Sequence, residues 1–214
     1  MSKITTNNLI TGEILNKICA QISAARASQI ADVINQVFPT YGMTDPRVMQ
    51  AAIAQIAHES GEFSIKSENM NYTTPERIMA VWPSRFKTVA DAKPYIKNAQ
   101  ALANRVYGGR MGNNQPNDGY SFRGGGFMQL TGRESYEKYA RYKGLSVEQI
   151  HEQIKTSDFF AMDSACWEFS IDKALIDEAM TGNFLTITKR INGGLIGWNE
   201  RQKYFDRAKQ FISH

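Results

Sequence analysis

Apolar residues recur along this chain at three- and four-residue spacing, and alternating strand patterns are scarce. That period predicts helices over 12–38, 46–60, 75–82, 91–107, 133–142, 146–154, 158–180, 184–191 and 198–212. Several ends carry their own signals. Asp45-Pro46 and Thr74-Pro75 each set a capping side chain before a proline at the first helical position, where no helical hydrogen bond needs its missing N–H. Gly144 and Gly182 stand where helices should stop, since glycine readily takes the left-handed conformation that closes one. The fold class expected is mainly α.

One long stretch breaks the pattern, from about Tyr107 to Gly132: YGGRMGNNQPNDGYSFRGGGFMQLTG. Irregular segments of that length inside compact domains are uncommon and are often functional. No repeat, low-complexity tract or Pro/Gly/Ser linker divides the chain. The 214 residues are therefore expected to form a single domain, with 1–11 as an N-terminal extension.

Candidate chemistry begins in the helix DPRVMQAAIAQIAHES. Val48, Met49, Ala52, Ile53, Ile56 and Ala57 form one apolar arc, and Glu59, three turns after Val48, falls close to its edge. His58 points off the arc. A carboxyl placed like Glu59 is partly desolvated, which favours the protonated acid that a leaving glycosidic oxygen requires. An ion-paired Glu at a frayed helix end is the competing account. His58-Glu59 also opens like a zinc-peptidase helix, but Glu62 stands where the second His belongs.

Beyond Gly61 the chain runs through EFSIKSENMNYT, and Glu68 lies there in an irregular polar setting that keeps a carboxylate ionised. With a water between them, two such carboxyls invert a glycosidic bond when their oxygens are roughly 6.5–9.5 Å apart. In the last helix, Tyr204, Phe205, Ala208, Phe211 and Ile212 form a buried stripe with Arg201 projecting into it. A buried guanidinium needs an anion. Arg201 either makes a structural ion pair or orients an active-site carboxylate, with Glu59 the most plausible.

Charge narrows the partners. A formal net charge of +4 suits an anionic surface, but Lys and Arg are scattered without interleaved aromatics, which argues against nucleic acid. Cys19 and Cys166 lie in apolar helical stretches, read as buried free thiols. The N-terminal sequence shows no secretory signal peptide, and no run is long enough for stable membrane insertion. Synthesis in the cytoplasm is expected.

Five blocks, AQIAHESGEF with SENMNYT, YGGRMGN, YSFRGGGFMQLTGRESY, ITKRINGG and NERQKYFDRA, together resemble glycoside hydrolase family 19, more closely its bacteriophage endolysin (lysozyme-like) branch. They run in family order from about residue 46 to 209, roughly three-quarters of the chain. The resemblance implies a lysozyme-like helical fold with a small helical lobe over a substrate groove, and an inverting mechanism without metal or cofactor. It implies Glu59 as general acid, Glu68 as general base and Thr131 as the hydroxyl that helps hold the attacking water. Gln129 and Asn192 become groove contacts, and Arg201 the partner of the acid. Tyr72 offers a ring face to a sugar and His58 a further substrate contact. By residue type alone, Gln129 and Thr131 equally suit a helix cap, and Asn192 a turn.

This chain departs from the pattern in places. Ser135-Tyr136 stands where the family often has Asn-Tyr, and Leu195-Ile196-Gly197 replaces a stretch in which plant chitinases carry a further acidic residue. The reading as a whole is a monomeric phage-type endolysin cutting the peptidoglycan glycan strand. It is expected to reach the periplasm from the host cytoplasm through a holin. A chitinase and a non-catalytic wall-binding protein are the alternatives.

Overall fold

The computed structural model describes residues 9–213; His214 and residues 1–8, most of the expected extension, lie outside them. With 63% of the described residues helical, the mainly α class holds. Among the described residues only two isolated β-bridges appear, Ser67 with Gly125 and Gly125 with Leu130.

Capping explains where several helices begin and why two of the three broken predicted helices are broken. Helix α1 (Gly12–Ile18) starts at Thr11, and α2 (Ala24–Val37) starts at Ser23, whose hydroxyl accepts from the Arg26 N–H. The predicted helix 12–38 is thus two, because Ser23 satisfies a backbone donor at a new start within the apolar pattern. Helix α3 (Pro46–Glu59) has the expected Asp45 cap and ends on Glu59. Helices α4 (Pro75–Val81) and α5 (Val89–Ala92) precede a 3₁₀ turn at Lys93–Tyr95, and α6 (Ala99–Tyr107) begins afresh at an Asn98 cap. The long irregular segment contains a single helical turn, α7 (Asp118–Ser121). Helix α8 (Arg133–Lys143) stops at left-handed Gly144, as predicted, and α9 (Val147–Thr156) follows. Helix α10 (Asp158–Trp167) runs into a π-helical turn, Glu168–Asp172, and a break separates it from α11 (Ile176–Met180). Helices α12 (Phe184–Asn192) and α13 (Trp198–Phe211) complete the chain.

The described chain divides into two compact units. The first holds the residues up to Lys66, Gly126–Met128 and those from Ser157 onward; the second holds Ser67–Gly125 and Gln129–Thr156. In the first unit every residue of α3 from Val48 to Ala57 is buried, including Gln50 and Gln55, so α3 is a central helix rather than a one-sided one. Helix α13 packs along it, with α11 and α12 alongside. Asp158, at the start of α10, takes both Arg26 and Lys66, where the helix dipole also favours an anion. In the second unit Met70, Ile78, Phe86, Leu102 and Val106 form a core, with Tyr72 and Trp82 at its margin. Glu59 belongs to the first unit and Glu68 to the second.

Candidate active site

Glu59 sits at the C-terminus of α3 with its side chain 23% exposed. Arg201, on α13 and 2% exposed, donates from Nη2 to Glu59 Oε1 at 2.5 Å. The guanidinium is used on every side. Nη1 donates to Gln55 Oε1 at 2.5 Å, and Nε to the Ile196 carbonyl at 3.2 Å. Gln55 in turn donates to the Thr188 hydroxyl at 2.7 Å. A planar donor that spans three acceptors holds the carboxylate in one orientation, as a lysine could not. Glu59 is thus the anion that the buried Arg201 was expected to need.

His58 lies closer in than its helical phase implied. Its side chain is 17% exposed, with Nδ1 2.9 Å from Glu200 Oε2 but too oblique for a well-formed hydrogen bond. Burial and the positive charge of Arg201 hold its pKa below the ordinary 6.5, against the pull of Glu200 and Glu59. Glu168, on the π-helical turn, is a further carboxyl of this unit. Burial pushes it up to about 7, with Lys173 3.4 Å away opposing the rise and the charges of Asp172 and Glu59 adding to it. Glu62 is buried with φ 55° and serves the scaffold, accepting from the Gln21 N–H at 2.6 Å and the Tyr204 hydroxyl at 3.0 Å.

In the second unit, Glu68 is half-buried and held from two directions. The Tyr107 hydroxyl donates to its carboxylate, 2.8 Å from Oε1 and 3.0 Å from Oε2, and the Gly124 N–H donates to Oε2 at 3.2 Å. The segment is pinned as well, since the Glu68 N–H donates to the Gly124 carbonyl at 2.8 Å. Burial first, and the neighbouring Glu68 charge second, push the Tyr107 phenol well above its usual range, so it stays a neutral donor. The same two causes raise Tyr72, which packs edge-on to Trp82 at 5.2 Å.

Gln129 stands near Glu68 because of the glycine run. A Cβ on Gly124 would meet Gln129 Oε1 at 2.5 Å and Glu68 Cβ at 3.2 Å, so only glycine lets these side chains close on the backbone between them. The Thr131 hydroxyl donates to the Gln129 carbonyl at 2.8 Å. Neither residue caps α8, whose N-cap is Gly132 without a side-chain bond. Asn192 ends α12 and donates from Nδ2 to the Ile196 carbonyl at 3.2 Å, the oxygen that Arg201 also uses. It is a turn residue tied to the Glu59 network. Among the described residues no three His, Cys, Asp or Glu side chains are grouped to hold a metal ion.

The first unit therefore brings together Glu59, Arg201, His58 and Asn192, and the second Glu68, Gln129, Thr131 and Tyr72. Gln55, Tyr107 and Glu168 escaped the sequence reading. Gln55 is one turn before Glu59 on α3, a spacing that could have found it. Tyr107 is 39 residues from the carboxylate it serves, and only its place at the head of the glycine-rich segment marked it.

A protein of Haemophilus influenzae, a glycosyl hydrolase family 19 domain-containing protein, is 31% identical over 155 residues, covering 72% of this chain and 74% of its own length. The chain belongs to glycosyl hydrolase family 19. It is accordingly a glycoside hydrolase. No family model matches the chain. A crystal structure of a chitinase C mutant superposes with a TM-score of 0.61 at 14% identity, over 96% of this chain and 77% of that one. That likeness gives this family 19 member its lysozyme-like, mainly helical fold.

Proposed function

We propose that this family 19 hydrolase is a phage-type endolysin that cuts the β-1,4 bonds of peptidoglycan with inversion, using Glu59 as acid and Glu68 as base. The observation that carries the assignment of roles is the contrast between the two carboxyl environments. Arg201 takes one oxygen of Glu59. When Glu59 gives its proton to the leaving oxygen, the guanidinium stabilises the carboxylate left behind, and that interaction strengthens as the bond breaks. Among the described residues no cation is hydrogen-bonded to the Glu68 carboxylate. A neutral phenol and a backbone N–H orient it, so it is aimed without being neutralised and can take a proton from water. Gln129, close to the same glycine, and Thr131, bonded to the Gln129 carbonyl, supply an amide and a hydroxyl suited to a sugar and a water.

In this reading the enzyme works as a monomer on an anionic wall, without cofactor or nucleic acid, and reaches the periplasm through a holin. The net charge of +4 suits that surface. The test is clearing of outer-membrane-permeabilised Gram-negative cells, with purified peptidoglycan and chitin assayed in parallel. Glu59→Gln and Glu68→Gln should each lower the rate by about 10²–10⁴, the usual share of one acid or base. Full lysis by either variant defeats the mechanism. Cleavage of chitin alone makes the protein a chitinase, the activity named for its structural neighbour.

A further inference from the structure

Between α12 and α13 the chain exposes two large aliphatic side chains in succession, Leu195 at 45% and Ile196 at 77%. Scattered surface aliphatics need no explanation, but these two are held in place with unusual care. The Ile196 carbonyl accepts from both Asn192 Nδ2 and Arg201 Nε, each at 3.2 Å. Gly197 follows with φ 72°, and a Cβ there would lie 2.4 Å from His58 Cε1. The tip is thus seated on the ring of His58, next to Glu59 in the chain. Its backbone is bonded to the guanidinium that grips Glu59 Oε1. The backbone that carries this exposed apolar pair is therefore one side chain, Arg201, away from Glu59.

Its chemistry selects an occupant. Two branched aliphatic side chains offer no aromatic face for a pyranose ring, but they suit methyl groups. Nor can two side chains supply the roughly 800 Å² per partner of a stable protein interface. In a peptidoglycan strand, N-acetylmuramic acid carries two methyl-bearing groups on adjacent carbons, the N-acetyl at C2 and the lactyl ether at C3. N-acetylglucosamine carries only the first.

We infer that Leu195 and Ile196 form a specificity ledge that receives the N-acetyl and lactyl methyl groups of a muramic acid residue bound beside Glu59. The inference rests on the peptidoglycan reading and extends it to which sugar lies on the acid side. It also gives a use to the place where an apolar pair stands instead of an acidic residue.

The test is steady-state kinetics on peptide-free glycan strands with Ile196→Thr, Ile196→Val and Leu195→Thr, set beside competition by N-acetylglucosamine oligomers. Ile196→Thr keeps the β-branch and the backbone contacts while removing apolar surface. It should raise KM for the strands roughly five- to tenfold, as losing part of one buried aliphatic side chain does. The kcat should stay within about twofold, Leu195→Thr should act in the same direction, and Ile196→Val should recover most of the loss, as expected when only uniform binding is removed. Inhibition by the oligomers, which offer only the N-acetyl methyl, should weaken less than binding of the strands. A KM unmoved by the threonine variants overturns the ledge. A fall in kcat with KM constant overturns it too, by making the tip a mere support for Arg201. Equal weakening of the oligomers overturns the muramic assignment. Wild-type enzyme inactive on the strands overturns the function reading itself, a result distinct from active wild type with unaffected variants.

Discussion

Tyr107 shows how one side chain can set the behaviour of another far from it in sequence. It hydrogen-bonds both oxygens of Glu68, and its own proton is held tightly by burial and by that carboxylate. Tyr107→Phe removes the donor and keeps the ring. The expected outcome is a kcat lower by about tenfold with KM little changed and a thermal midpoint lower by a few degrees, since one hydrogen bond to a charged group contributes roughly 1.5–3 kcal/mol. Stopped assays on solubilised glycan strands check it, and unchanged kcat would leave Gly124 as the sufficient anchor. Contacts of this span are what the sequence hides. Arg201 was readable because an arginine within a buried stripe demands an anion, whereas a tyrosine beside a loop has many acceptable fates.

Among the elements, the π-helical turn at Glu168–Asp172 is the one the periodic pattern concealed. The apolar spacing over 158–180 predicted one helix, yet the chain inserts a π turn and a break before α11. Strong caps such as Asp45, Thr74 and Gly144 were legible because their side-chain or left-handed chemistry is local. Breaks imposed by tertiary packing leave no local mark. The turn seats Glu168, whose carboxyl is raised from 4.5 to about 7 mainly by burial. Between those values the folded protein holds a proton that the unfolded chain has released, so stability falls as pH rises through this window and levels off above it. Glu168→Gln should remove that slope. Urea unfolding at pH 5 and pH 8 should show wild type losing up to roughly 3 kcal/mol more than the variant over the interval. His58 acts in the opposite sense. Its pKa is depressed below 6.5, so its contribution is lost on acidification, which is why the comparison is between proteins and not between pH values alone. Identical slopes for the two proteins would place the Glu168 carboxyl in the ordinary range.

For the molecule as a whole, the family resemblance implied a small separate lobe, while the points at which the chain passes between its two compact units were not readable. The chain passes between units at Lys66–Ser67, Gly125–Gly126, Met128–Gln129 and Thr156–Ser157, and none of these junctions has the composition of a linker. The net charge of +4 carries a prediction at this scale. Screening shortens from about 10 Å at 0.1 M salt to about 3 Å at 1 M. Clearing of an anionic wall should therefore slow several-fold over that range, while hydrolysis of a neutral oligosaccharide should not. Salt-independent clearing would mean that long-range attraction plays no part in finding the wall.

The seat of Arg201 also has a consequence in time. Glu59 is translated well before the guanidinium that orients it, which lies on α13 and whose other acceptors are Gln55 and the Ile196 carbonyl. Chains fold progressively as they emerge during synthesis. Until Trp198–Phe211 has left the ribosome and docked along α3, Glu59 lacks the guanidinium that orients it. A chain stopped before Trp198 should therefore carry Glu59 without its partner.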